Sequence, residues 1–212
     1  MTGSAYLVQT DSASILVDMG MFQGGKSSEE KNKIPPGLSV KKIDAILLTH
    51  GHLDHTGRLP MLVKLGYKNP IFGTVQTHEL TQIILQDSAR LQAGDAMRHN
   101  RKFLKRGQRP AETLYSIEHV EYMKELSQSI TLNKPVMVAR GITARWIEAG
   151  HMLGSGSIEL TVTEGSKKKV IVFSGDLGPI NFPLLKSFDH FLKADLLFME
   201  STYGDRDHRS YD

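Results

Sequence analysis

Between Thr49 and Gly57 the chain reads Thr-His-Gly-His-Leu-Asp-His-Thr-Gly, which sets His50, His52, Asp54 and His55 within six residues. Imidazole nitrogens mixed with carboxylate oxygens are the ligands that zinc and similar divalent ions take in catalytic sites. The spacing lets two ions share the segment, with His50 and His52 turned to one and Asp54 and His55 to the other. Gly51 and Gly57 suit a backbone that must fold several side chains onto one point, because glycine is free of the Cβ constraint. The ordinary alternative is a polar loop whose histidines are merely solvated.

More residues of the same chemistry follow in order. Asp18 ends the apolar run Ile15-Leu16-Val17, His151 follows the strand-like stretch from Ile142 to Ala149, and Asp176 follows Val170 to Phe173. Each stands just beyond a run of strand character, where α/β folds gather their functional loops. Singly, each would read as a turn former or a satisfied polar group. Four such positions along most of the chain argue for one site. Glu200, at the end of Leu196-Leu197-Phe198-Met199, opens the turn Ser201-Thr202-Tyr203-Gly204.

The pattern His-x-His-x-Asp-His, with Asp18, His151 and Asp176 in this order, resembles the signature of the metallo-β-lactamase superfamily. The stretch from Ala194 to Arg206 resembles the strand and turn with which the β-CASP branch, largely RNA-processing nucleases, enters an inserted second domain. The resemblance implies an α/β fold, an αββα sandwich over residues 1–199, with residues 200–212 beginning the connection to a β-CASP domain. Relative to that family the chain is expected to be incomplete at both ends, lacking the opening strand and the later histidines.

The resemblance also implies two zinc ions. His50, His52 and His151 would hold the first, Asp54 and His55 the second, and Asp176 would bridge them. Asp18 would brace the loop through hydrogen bonds rather than bind an ion. Asp54 would orient or deprotonate a water, and Glu200 would support the chemistry from the adjoining strand. The second ion would be the weaker, with His208 as the candidate substitute for a missing ligand. Two such ions promote hydrolysis by lowering the pKa of a water and stabilising charge on the attacked centre. The implied substrate is RNA or another phosphodiester. Hydrolysis of an ester, lactone, thioester or β-lactam is the alternative, as is a catalytically impaired, metal-stabilised binding module.

Composition bounds these readings. A chain of 212 residues is about one domain with room for a real core. It has no cysteine, so disulfides and thiolate ligands are excluded and any zinc must be held by nitrogen and oxygen. A net charge of +3 mildly favours an anionic partner. No apolar run approaches the roughly 20 residues of a membrane span. The polar start does not read as a secretory signal, so a cytoplasmic location is the default expectation, and a homo-oligomer is compatible with everything above.

The elements that must position these groups are legible in outline. Ile43 to Leu48 is apolar and short, a buried strand delivering the chain to the metal loop. Leu7–Val8 and Ile15–Val17 predict a hairpin turning near Asp11-Ser12, and Gln23 to Pro36 an exposed loop. Leu59, Leu62, Val63 and Leu65 predict a short helix stopped at Gly66. Leu80, Ile83, Ile84 and Leu91 predict the buried stripe of a second helix, and Ile117, Val120, Met123 and Leu126 that of a third, capped by Ser116. Strands return from Val136 to Phe173 and from Leu196 to Met199. Arg98, Arg101, Lys102, Lys105 and Arg106 form a basic run that could track a phosphate backbone, with Phe103 and Tyr115 as candidate stacking residues that could equally be core. It reads equally as a solvated helical face. His78, His99, His119 and His190 read as surface or satisfied histidines.

Overall fold

The computed structural model of the chain describes residues 3–24, 28–103, 110, 112–180 and 183–206. Two five-stranded sheets lie face to face. The first has β1 (Tyr6–Gln9), β2 (Ser14–Val17), β3 (Ala45–Leu47), β4 (Ile71–Gly73) and β5 (Ser127–Ser129), in that order. Its β1–β2 pair is the predicted antiparallel hairpin, and the remaining pairs are parallel. The second runs β10 (Leu196–Phe198), β9 (Lys167–Phe173), β8 (Gly156–Glu164), β7 (Ile142–Glu148) and β6 (Val136–Ala139). It is antiparallel except for β10 on β9.

Strand periodicity sends alternate residues to opposite faces. Ile15, Val17, Ala45 and Leu47 therefore point to the space between the sheets, where they meet Ala144, Trp146, Ile158, Leu160 and Phe173. Leu16, Ile46 and Leu48 point the other way, onto a second core formed with the helices. A sheet apolar on both faces must be covered on both. The helices α3 (Leu59–Lys64), α4 (Val75–Phe103) and α5 (Ile117–Leu126) cover the outer face of the first sheet, through Leu59, Leu62, Leu85, Ala89, Val120 and Met123. The outer face of the second sheet is crossed by the segment after Lys186. There Asp189 N donates to Glu148 O at 2.8 Å, and Phe191 lies 5.5 Å from the Arg145 guanidinium. Two mixed sheets flanked by helices are the α/β sandwich expected from the sequence.

Two local expectations need correction. The 29-residue α4 does not bury the Ile83 and Leu91 stripe, which stays 64% and 59% exposed. Its buried face is Thr77, Thr81, Leu85, Ser88 and Ala89. Small side chains let the helix approach closely, and Ser88 supplies a partner at 2.9 Å for the buried Tyr115 hydroxyl. Tyr115, fully buried, is consequently a core residue and not a base-stacking one. The loop from Gln23 to Pro36 is also less open than expected, since Asn32 is buried and exchanges two hydrogen bonds with the Phe22 backbone. It includes the single turn α1 (Ser28–Lys31).

Trp146 joins the two sheets directly beneath the metal loop. Fully buried, it donates from Nε1 to the Leu48 carbonyl at 2.9 Å. Replacing Trp146 with Phe removes that donor and part of the ring volume. Unfolding free energy measured by urea titration should fall by about 2–4 kcal/mol. An unchanged midpoint would show that the Leu48 carbonyl finds another donor.

Candidate metal centre

All the candidate groups lie at the carboxyl ends of β2, β3, β7, β9 and β10. β3 ends at Leu47, and His50 and Gly51 lead into α2 (Leu53–Thr56), a single turn that carries Asp54 and His55. The predicted loop is thus partly helical. His52 stands just before the turn, with its carbonyl accepting from His55 N and Thr56 N, each at 3.0 Å. This turn puts His52 and His55 on different sides of the segment.

Gly51 and Gly57 serve by size rather than by unusual dihedral angles, since neither has a positive φ. A Cβ on Gly57 would come within 2.4 Å of Met21 Cβ, and one on Gly51 within 3.1 Å of Leu80 Cβ. Gly178 is more constrained still. Its missing Cβ would fall 1.7 Å from the Gly150 carbonyl oxygen, so only glycine lets the Asp176 loop lie against the His151 loop.

The structure brings His50, His52, His151 and Asp176 into one group, and Asp54, His55 and Asp176 into another. In the first, His52 Nδ1 is 3.1 Å from His50 Nε2 and 3.0 Å from His151 Nε2. Asp176 Oδ2 lies 3.8 Å from His50 Nε2 and 3.6 Å from His151 Nε2. An ion held tetrahedrally at about 2.1 Å has ligand atoms about 3.4 Å apart, so these separations suit one divalent ion. In the second group His55 Nε2 is 3.1 Å from Asp176 Oδ1. The two oxygens of Asp176 therefore face different groups, the arrangement a bridging carboxylate requires. Nitrogen lone pairs set this close repel one another unless a proton or a metal ion lies between them.

Electrostatics separate the two groups. Burial pushes His50 well below its ordinary value, helped by the neighbouring histidines, and burial likewise lowers His151. Both shifts favour the neutral rings that metal ligation requires. Burial also opposes charge on His55, but Asp18 and Asp176 on either side of the ring outweigh it and raise its pKa to about 10. Burial works against ionisation of Asp176, yet the surrounding histidines hold it down at about 2. Asp18 and Asp176 thus favour a proton on His55, within the second group.

Asp18 sits behind the ligands. Its backbone is left-handed (φ 56°), a conformation that aspartate tolerates better than most residues. Its carboxylate accepts from Thr49 N at 2.9 Å, Thr49 Oγ1 at 2.7 Å and His55 Nδ1 at 2.8 Å. Glu200 lines the same cleft as His151 and its charge acts on that ring. It accepts from Leu177 N at 2.7 Å and Thr202 N at 3.4 Å, so it ties β10 to the Asp176 loop. Sequence reasoning gave no role to Ser155, whose hydroxyl accepts from His151 N at 3.0 Å, or to Thr74 and Thr77, which hold the Gly154 carbonyl at 2.8 and 2.9 Å. Short polar residues near a motif carry no spacing signal that would have revealed them. His78 and His119 are satisfied locally, by Gln128 O at 3.2 Å and Ser116 Oγ at 2.8 Å.

Two clefts meet at the cluster. One of about 450 Å³ runs past Asp54, His55 and Asp176 toward Tyr6 and Phe198, and another of about 700 Å³ leads from His151 and Asp176 to Tyr203. Among the described residues, no Lys or Arg lines either cleft. Arg98 and Arg101 are exposed near the far end of α4. Leu80 packs under Gly51, and the eighteen residues from there to Arg98 span about 27 Å of helix. The side chain of Lys102, residues Lys105 and Arg106, and His208 lie outside the described residues.

Residues 1–208 match the metallo-beta-lactamase superfamily. The chain belongs to that superfamily. It is 35% identical to Ribonuclease TTHA0252 of Thermus thermophilus over 212 residues, all of this chain and 43% of that protein. It is 30% identical to Transcription termination factor FttA of Methanothermobacter thermautotrophicus over 209 residues, 95% of this chain and 30% of that protein. It therefore spans less than half the length of these curated relatives. A metallo-β-lactamase from Cronobacter sakazakii, 20% identical, superposes with a TM-score of 0.49 over 85% of this chain and 58% of its own. No helix among the described residues is long and apolar enough to cross a membrane.

The proton on His55 has a measurable consequence. An ion entering the second group at neutral pH must displace it, so affinity there should rise with pH by up to tenfold per unit below about 10. Zinc titrations at two pH values, in buffers of differing ionisation enthalpy, should detect about one proton released with the second equivalent. Binding without proton release would contradict the assignment of His55 to that group.

Proposed function

We propose that this chain is the metal-binding half of a zinc-dependent phosphodiesterase acting on RNA, of the β-CASP branch. The observation that carries the reading is the pair of donor groups sharing Asp176 at the junction of two open clefts. Similarity to a ribonuclease over the whole chain supports RNA as the substrate class. In this reading residues 1–199 are the metallo-β-lactamase-like unit, and 200–212 lead toward a further domain.

His50, His52 and His151 would hold one zinc ion, Asp54 and His55 the other, and Asp176 both. Zinc bound there supplies Lewis acidity and lowers the pKa of water so that a nucleophile exists at neutral pH. The chain's own groups do the positioning. Asp54, in the wall of the 450 Å³ cleft, orients and accepts a proton from the attacking water. Asp18 keeps the His55 ring fixed, and Glu200 keeps the Asp176 loop fixed. Since Asp18, Asp54, Asp176 and Glu200 line the clefts and no Lys or Arg among the described residues does, zinc would also supply positive charge for a phosphodiester.

Among the described residues the second group has three donors, which favours one other reading, a metal-stabilised RNA-binding module with impaired chemistry. One set of measurements separates the readings. The zinc-loaded chain should cleave single-stranded RNA, and a His50→Ala/His52→Ala variant should lose both cleavage and at least one equivalent of zinc by elemental analysis. Ester hydrolysis without RNA cleavage would favour a different metallo-hydrolase. Bound zinc with RNA affinity alone would favour the binding module, and undetectable zinc after loading would defeat the metal-centre reading.

The basic run is tested separately. Replacing Arg98, Arg101, Lys102, Lys105 and Arg106 with Ala should weaken binding of long RNA and flatten its salt dependence, with zinc content unchanged. Since Arg98 lies about 27 Å along the helix from the metal loop, a dinucleotide substrate should not feel the change. An unaltered salt slope returns the segment to a solvated helix end.

A further inference from the structure

Thr49, the residue just before the histidine cluster, has a hydroxyl in contact with three of the groups described above. We propose that Thr49 is a positioning residue that fixes the ring tautomer of His50, so that Nε2 and not Nδ1 is left with the lone pair that faces the metal site. The proposal rests on the metal-centre reading and deepens it.

The argument is a count of protons. Thr49 Oγ1 is 2.7 Å from Asp18 Oδ2, and the Asp18 carboxylate also receives Thr49 N at 2.9 Å. A carboxylate accepts, so the single hydroxyl proton of Thr49 is committed to Asp18. Toward His50 Nδ1, 3.1 Å away, Oγ1 then has only lone pairs to offer. That contact becomes a hydrogen bond when Nδ1 carries the proton, which leaves Nε2 as the bare nitrogen. It is Nε2 that faces His52 Nδ1 at 3.1 Å and Asp176 Oδ2 at 3.8 Å.

Asp18 performs the same service for the other ring. His55 Nδ1 lies 2.8 Å from Asp18 Oδ2, which directs His55 Nε2 toward Asp176 Oδ1 at 3.1 Å. Thr49 and Asp18 thus act as one unit that presents both Nε2 atoms to the site.

The surroundings leave Thr49 little freedom to do otherwise. Thr49 is 2% exposed and His50 is fully buried, so water has little access to satisfy Nδ1 in its place. The Thr49 carbonyl accepts from Gly156 N at 2.8 Å, which ties it to the second sheet. A Cβ on Gly175 would stand 2.8 Å from Thr49 Cβ, so the Asp176 loop presses on the threonine side chain and holds it in place. Valine would fill the same volume without the hydroxyl, while serine would keep the hydroxyl without the methyl.

The test uses the full chain with Thr49→Val and Thr49→Ser. Long-range proton–nitrogen correlation spectra of the histidine rings, recorded without metal, distinguish a protonated Nδ1 from a protonated Nε2. Zinc titration gives affinity. The unsubstituted chain and Thr49→Ser should show His50 protonated at Nδ1. Thr49→Val should lose that signature and bind the first zinc about 10- to 100-fold more weakly, with serine recovering most of the affinity. His50 protonated at Nε2 in the unsubstituted chain overturns the proposal, whether or not the valine variant folds. So does a folded valine variant with unchanged tautomer and affinity. Failure of the unsubstituted chain to bind zinc sinks the metal-centre reading alone, because the tautomer is read in its absence.

Discussion

The structure depends on one electrostatic constraint, the gathering of four imidazole rings around the single carboxylate of Asp176 in a partly buried place. Imidazole nitrogens 3.0–3.1 Å apart and a carboxylate 3.1–3.8 Å from three rings are compatible only where a proton or a metal ion lies between the facing lone pairs. Asp18 and Asp176 beside His55 outweigh its burial and raise its pKa to about 10, so the surroundings favour a positive charge on that side of the cluster. A divalent ion satisfies the same demand more completely, because it meets several lone pairs at once. A proton and a divalent ion would compete for the same nitrogen lone pairs.

Holding such a cluster together falls to backbone contacts in neighbouring loops. The Asp176 loop closes on the His151 loop through Gly178 N, which donates to the Ala149 carbonyl at 2.9 Å, and the absent Cβ of Gly178 makes that approach sterically feasible. The His151 loop is fastened by Ser155 within itself and by Thr74 and Thr77 at the start of α4. The His50 loop is fastened by Asp18 from β2 and by Trp146 from β7. The ligands arrive on three segments, the His50–His55 stretch, the His151 loop and the Asp176 loop, and each segment is tied by a side chain outside the ligand set, Asp18, Ser155 and Glu200 respectively. The sandwich supplies rigid strand ends, and these short polar contacts set the ligands to within bonding distance.

This division explains what could be read from the chain in advance. The metal-ligating types announce themselves, since three His and one Asp in six residues after an apolar strand have few other uses, and the strands that carry them show in β-branched and aliphatic runs. The hairpin β1–β2, the strand β3, the helices α3 and α5 and the strands from Val136 onward were legible for the same reason. The buried face of α4 was not. Its apolar residues Ile83 and Leu91 face outward, while threonine, serine and alanine face the core, so hydrophobic periodicity pointed to the wrong side of a correctly placed helix. Thr49, Ser155 and the backbone-directed carboxylate of Glu200 were illegible in another way. Their importance lies in which nitrogen or carboxylate they meet, within one loop for Ser155 and across neighbouring strand ends for Thr49 and Glu200, and that is decided only by the folded geometry.

Charge placement bears on how the two ends of α4 would divide their work. The N-terminal part of the helix lies against the His50–His55 segment and the His151 loop, where Asp18, Asp54, Asp176 and Glu200 line the clefts. The exposed Arg98 and Arg101 stand near the other end, about 27 Å along from Leu80. That distance exceeds two Debye lengths at physiological ionic strength, so the arginines would contribute little to the potential felt by a phosphate at the cluster. They would act on a polyanion only by touching it. A substrate long enough to reach both ends would be attracted at one place and cut at another, and its affinity and its cleavage rate would then depend on different residues of the same helix and the loops beneath it.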